Sequence, residues 1–275
     1  MESVFDFLTL FLALIATGCC SGFLAGLLGV GGGIVVVPVL FHVLGFFDVY
    51  PAIRMQVAVA TSLATVIPTS IVSARSHWRK NSVDRALLWR MAPTVFVGVV
   101  VGTLLASIVQ GQVLMAVFAF VALLVAIKMA LGPDRLTIAD QLPGRIGTSV
   151  MSGMIGGVSA MMGIGGGTLT VPLLSMFKYP IHAAVGTASA LGLIIAVPGA
   201  IGFAIAGYCI PSLPPFSFGY VNWAGVLMIV PSSMLAAPWG AHVAHKLSRT
   251  RLSQAFGLFL LITAIRMFGG LAWGY

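Results

Sequence analysis

The chain is poor in charge. Of its 275 residues only 7% are charged, whereas 59% are hydrophobic and the mean hydropathy is +1.09. A soluble globule carries about 25% charged residues, so most of this surface must face something other than water. Carboxylates are scarcest. There are six Asp and Glu, all near segment ends or in loops. Proton and cation carriers place carboxylates at membrane depth, which counts against that class. Cysteine is scarce too. Cys19 and Cys20 are adjacent inside an apolar run and Cys209 stands alone, so there is no disulfide framework and no metal spacing. They read as small apolar side chains. No GxxxxGK[ST] loop is present, so the chain cannot drive itself by nucleotide hydrolysis. No HExxH, and no Ser/His pair with an orienting carboxylate, supports an intramembrane enzyme. The net charge of +8 resides in loops between apolar segments, where membrane topology and headgroups explain it. No nucleic-acid-binding motif accompanies it.

What is abundant is apolar sequence interrupted by glycine. Gly22 to Leu40 reads GFLAGLLGVGGGIVVVPVL, and Gly156 to Leu174 reads GGVSAMMGIGGGTLTVPLL. Each glycine costs a helix about 1 kcal/mol against alanine, so a triple glycine is a break. The two stretches are copies. Gly22, Gly29, Gly31, Gly32, Gly33 and Pro38 match Gly156, Gly163, Gly165, Gly166, Gly167 and Pro172, each pair differing by 134. VAVATS (57–62) resembles AAVGTA (183–188). Pro93 and Gly102 match Pro231 and Gly240, and VAIKM (125–129) matches TAIRM (263–267), at an offset of 138.

Each half carries five apolar segments: 4–28, 33–45, 54–74, 87–109 and 112–131, then 146–162, 167–177, 182–206, 221–243 and 252–272. The second of each set is short, roughly 17 Å as a helix against a hydrocarbon core of about 30 Å. The acidic start MESVFDF does not suit a signal peptide, so the first run is expected to be retained. The loop holding Arg75, Arg79, Lys80, Arg85 and Arg90 has an uncharged counterpart at 207–220. The uncharged loop 107–112 has a basic counterpart with Lys246, Arg249 and Arg251. Basic loops stay in the cytoplasm, so equivalent loops lie on opposite sides. Both termini are then outside, with only Arg54 and Arg266 among the Lys and Arg there.

The expected fold is therefore an all-α polytopic membrane protein of two inverted repeats. Residues 1–132 form the first repeat, 133–145 a cytoplasmic linker, and 146–275 the second. Loops 75–90 and 245–251 are cytoplasmic. Inverted repeats with interrupted helices are a transporter architecture.

A broken helix frees backbone N–H groups, and the dipole of the helix that follows adds partial positive charge. Gly31, Gly32 and Gly33 with Gly165, Gly166 and Gly167 are thus candidates to hold an anion. Pro38 and Pro172 favour a kink; alternatively, extended chain runs through IVVV and the helix begins at the proline. Glycines that merely permit close helix packing are the plainer alternative. Thr61, Ser62, Thr187, Ser189, Gln56 and His182, near the start of each third segment, are further candidates. Back-bonding to helix carbonyls is the plainer role for the hydroxyls. His182 is either an interfacial residue or a proton-coupling group. Arg54 either guides anions or sits among headgroups. Lys128 and Arg266 read as snorkelling, and His242 and His245 as solvated loop rather than metal ligands.

The paired glycine stretches, the AVGT element at Ala184–Thr187 and the duplicated layout resemble the TauE/SafE family of membrane transporters. The resemblance covers nearly the whole chain. It implies movement of sulfur-containing anions, such as sulfite or organosulfonates like sulfoacetate, across a bacterial inner membrane, commonly as export. It implies about eight spanning helices, or ten if the short segments are counted separately. Ala60 stands where the second repeat has Gly186. No cofactor or metal is expected. The partners expected are a small anionic substrate and the lipid bilayer, with protons a candidate coupling ion and a homodimer a candidate assembly. An anion channel is the alternative function.

Overall fold

The computed structural model describes residues 2–28, 32–47, 49–131, 137–246 and 249–273. They form ten helices: α1 (Glu2–Leu28), α2 (Gly33–Phe46), α3 (Pro51–Arg79), α4 (Arg85–Ile108), α5 (Gly111–Leu131), α6 (Arg145–Met162), α7 (Gly167–Ser175), α8 (Ile181–Ala206), α9 (Trp223–Lys246) and α10 (Arg249–Trp273). Strands β1 (Ser217–Phe218) and β2 (Val221–Asn222) make a small antiparallel ribbon before α9. The apolar segments coincide with the helices to within a few residues. The ribbon was not foreseen, and it occupies the start of the expected segment 221–243. Among the described residues five helices, α3, α4, α5, α8 and α9, are long and apolar enough to cross a bilayer. This is an all-α polytopic membrane protein.

Helix starts follow local chemistry. Pro51 at the first turn of α3 supplies a preset φ where its missing N–H costs nothing. Asp84 caps α4, accepting from the Leu87 amide at 3.0 Å. Asn222 does the same for the Gly225 amide of α9 at 2.8 Å. In α2 the β-branched run Ile34–Val37 is helical although its residues favour strands. All four are at most 2% exposed, and burial outweighs propensity. Pro38 therefore lies inside the helix and does not begin it.

The helices pair across the two halves. α1 runs along α9 and α6 along α4; α5 packs on α10 and α3 on α8. α2 and α7 lean on α3 and α8, respectively, while α4 also meets α8 and α9 meets α3. Exchanging α1–α5 for α6–α10 maps this set of pairings onto itself, with α5–α10 and α3–α8 each its own counterpart. α3 is the central element: Val57, Ala58, Val59, Ala60 and Leu63 are fully buried. The outer helices show the reverse, with Phe96, Val97, Val101 and Leu104 of α4 and Leu258, Ile262 and Ile265 of α10 exposed. Apolar residues turned outward suit a hydrocarbon solvent.

Close approach at small residues joins these helices, as is usual where no hydrophobic force separates helix from lipid. A Cβ added at Gly22 would lie 2.1 Å from the Ser233 carbonyl oxygen, and one at Gly156 would lie 2.2 Å from that of Val95. The two contacts are equivalent, since 22 and 156 differ by 134, and 95 and 233 by 138. These two glycines of the repeated motif are packing residues. Gly22→Ala and Gly156→Ala are each expected to destabilise the detergent-solubilised protein by about 1–3 kcal/mol. An unchanged thermal midpoint for either variant would contradict that backbone contact.

Candidate functional site

The second break is fully described. α6 ends at Met162 and Gly163 takes the left-handed conformation, φ 68°. Its amide donates to Ala160 O at 3.2 Å and the Ile164 amide to Ser159 O at 3.0 Å, closing the helix. α7 begins at Gly167, and the Thr170 amide bonds Gly166 O at 3.0 Å. The amides of Gly165, Gly166 and Gly167 have no acceptor among the described residues. At the first break α1 ends at Leu28 and α2 resumes at Gly33. Gly29 and Gly31 lie outside the described residues. Gly32 O accepts from the Val35 and Val36 amides at 3.0 and 3.1 Å, and from Ser21 Oγ at 3.1 Å.

The two breaks touch. A Cβ on Gly33 would lie 2.9 Å from Gly163 O. Ser62 of α3 staples them: its hydroxyl donates to Gly163 O at 2.7 Å, with Gly33 O a longer acceptor at 3.3 Å. Ser62 thus joins the breaks through its donor and is not a helix back-bonder.

Beside the second break lies a hollow of about 20 Å³, walled by Ser70, Ser73, Gly165–Gly167, Ala188, Ser189 and Gly192. That suffices for about one water. Its polar groups are the main chain of the lining glycines and the hydroxyls of Ser70, Ser73 and Ser189. Ser70 and Ser73 were not singled out from sequence, because they stand about two and a half and about three and a third turns beyond Thr61 on α3. Ser189 Oγ donates to Gly186 O at 2.7 Å, the back-bonding role. Three more hydroxyls flank the break without partners: Ser159 on α6, and Thr168 and Thr170 on α7. They too were missed, since a Thr or Ser in an apolar run carries no mark of being unpaired.

Other candidates lie elsewhere. Gln56 is buried, and its Nε2 donates to Val109 O at 3.1 Å, pinning α3 to the turn after α4. His182 is exposed in the first turn of α8. Neither lines the hollow. Among the described residues no three His, Cys, Asp or Glu side chains gather as a metal site requires.

Thr61 and Thr187 prove to be latch residues. Thr61 Oγ1 accepts the Asn222 amide at 3.0 Å, and Thr187 Oγ1 accepts the Asp84 amide at 3.1 Å. The capping residues 84 and 222 differ by 138, the offset of their helices. Each third helix thus grips the start of one long helix through the same pair of atoms. The latches differ in their second bond. Asn222 donates from Nδ2 to Pro215 O at 2.9 Å and to Ser217 Oγ at 3.0 Å. Asp84 instead accepts the Tyr179 hydroxyl. That bond and the Leu87 amide hold the Asp84 carboxyl below the usual carboxylate range, while burial and the same bond push the Tyr179 phenol up. At neutral pH the pair is therefore a carboxylate and a phenol donor. Gly186 admits the loop before Asp84, because a Cβ there would sit 2.3 Å from Ser82 O. Ala60, its counterpart, carries that methyl at the other latch.

Beyond the Thr61–Asn222 latch opens a cavity of about 750 Å³, between α1, α2, α3 and α9 and roofed by residues 212–216. Its wall is largely apolar, with Thr61 and Asn222 among the lining residues.

Comparison with known proteins accords with this geometry. Residues 14–267 match the family described as Sulfite exporter TauE/SafE. A probable membrane transporter protein of Haemophilus influenzae is 33% identical over 263 residues, covering 94% of this chain and 98% of the relative. One from Methanocaldococcus jannaschii is 29% identical over 274 residues, covering 94% and 98%. A third, from Bacillus subtilis, is 22% identical over 280 residues, covering 94% and 97%. No solved structure matches the chain. With the family matched across nearly the whole chain, and relatives named as probable membrane transporters aligned over nearly their full length, this protein belongs to the TauE/SafE family of membrane transporters.

Proposed function

We propose that the chain is a secondary transporter that exports small sulfur-containing oxyanions, sulfite or organosulfonates, across a bacterial inner membrane. The observation that carries this is the hollow at the second break. There the amides of Gly165–Gly167 lack acceptors beside the hydroxyls of Ser70, Ser73 and Ser189. Unpaired donors at membrane depth are costly, and an oxyanion that has shed water is a fitting acceptor. No carboxylate lines the hollow.

Transport runs by alternating access, with the two halves as inverted repeats. The exchange of helix pairings and the swapped basic loops support that inversion. The Thr61–Asn222 latch serves as the outer gate and the Thr187–Asp84 latch as the inner one. Both are closed here and the hollow is too small for an oxyanion, so the conformation is occluded. The larger cavity beyond Thr61 is the outer vestibule.

The hollow is tested at a hydroxyl. Ser70→Ala should leave thermal stability nearly unchanged while slowing sulfite or ethanesulfonate flux in proteoliposomes about tenfold, the worth of one charge-assisted hydrogen bond. Wild-type flux in this variant would place the substrate elsewhere.

The inner latch has a pH signature. A depressed carboxylate pKa contributes stability above its unfolded value, about 4, and loses it as pH falls through the folded value. The stability gap between wild type and Tyr179→Phe should be present at pH 7 and close under acid conditions below that range. A gap that is constant with pH would mean Asp84 is not the partner that matters.

Sidedness is checked with reporters. One at Ser212 should be reached from outside and one at Arg79 from the cytoplasm. Both on one side would end the inverted arrangement.

A further inference from the structure

A second cationic feature lies apart from the hollow. Arg54 of α3 is held in place: its Nε and Nη2 donate to Val49 O at 3.2 and 3.0 Å. Its guanidinium lies 5.6 Å from the centroid of the Phe41 ring. Gly45 leaves room for Nη1, since a Cβ there would be 3.0 Å away. Arg266 of α10 is exposed and reaches the same cavity, which measures about 600 Å³ and also takes in His42. Among the described residues neither arginine pairs with a carboxylate. The remaining wall is mostly apolar and includes Phe46, which is 85% exposed.

Three elements, α2, α3 and α10, therefore bring two guanidiniums and an imidazole to one cavity that also has greasy walls. Guanidinium suits oxyanions because its planar fork offers two parallel N–H donors. Two like charges beside apolar walls are unfavourable until an anion offsets them. Lysine snorkelling needs no such fixed side chain, whereas Arg54 is fixed by a carbonyl, a ring and a glycine.

We propose that this cavity binds the oxyanion head of an amphiphile, a phosphate diester or a sulfonate carried on an apolar body. Arg54 and Arg266 take the oxygens, and Phe46 with its apolar neighbours takes the body. The head comes either from an anionic lipid or from a free organosulfonate. The site needs only the membrane setting and does not depend on the transport mechanism.

Gly269 supplies the test. A Cβ there meets nothing within 4 Å, so Gly269→Glu puts a carboxylate into the cavity without a clash, and Gly269→Gln is its neutral control. The purified full chain in detergent is titrated with phosphatidylglycerol and phosphatidylcholine by native mass spectrometry, and with ethanesulfonate by thermal shift. Phosphatidylglycerol or ethanesulfonate should bind wild type and Gly269→Gln alike, and about tenfold more weakly to Arg266→Gln and Gly269→Glu. A response from phosphatidylglycerol alone assigns the lipid; one from ethanesulfonate alone assigns the free anion. Equal binding of the two lipids, together with ethanesulfonate binding unmoved by Arg266→Gln and Gly269→Glu, overturns the site. Ser70→Ala should leave this binding intact, so a failure of the transport site stays distinguishable.

Discussion

Two helices break inside the packed interior of this membrane protein, and the elements around them are arranged to cover the freed backbone. Lipid offers no partner for a freed amide or carbonyl. The chain buries the two breaks against each other, where Gly33 and Gly163 come too close for any side chain. Ser62 then binds the Gly163 carbonyl, satisfying an acceptor that neither helix can serve. The amides of Gly165–Gly167 on the other side of the second break have no such partner among the described residues, and these glycines line a hollow.

The same economy explains the interleaved halves. A short helix of nine residues, α7, cannot span and cannot shield its own ends. It leans on α8, while α6 is clasped by α4 from the opposite half. α3 and α8 meet at the middle, so the residues that shape the hollow come from both halves: Ser70 and Ser73 from one, Ser189 and Gly192 from the other. Any rocking of the halves must deform this lining. The latches sit where that motion would be felt, at the start of α4 and α9, where one hydroxyl on each central helix holds a capping residue.

Much of this was legible in the sequence. Segment limits follow from where apolar runs meet Gly, Pro and basic residues, and the breaks from triple glycines. What was hidden depends on distance in the chain. Thr61 and Thr187 were marked as a matched pair, but their partners lie 161 and 103 residues away, and only the fold shows that they face capping residues. Gln56 and His182 matched equally well and yet sit at helix ends, because alignment fixes equivalence and not direction. Ser70 has no mark in sequence at all. The exchange of Gly186 for Ala60 looked like a blemish in the repeat. It follows the loop before Asp84, whose backbone presses against α8 at Gly186.

The most direct measurement is a density map of the protein in lipid nanodiscs with sulfite or ethanesulfonate present. Interrupted helices at both triple glycines, with anion density beside the Gly165–Gly167 amides and the Ser70 and Ser73 hydroxyls, is the predicted result. Continuous helices through residues 163–166, or an anion lodged only away from those amides, would contradict it.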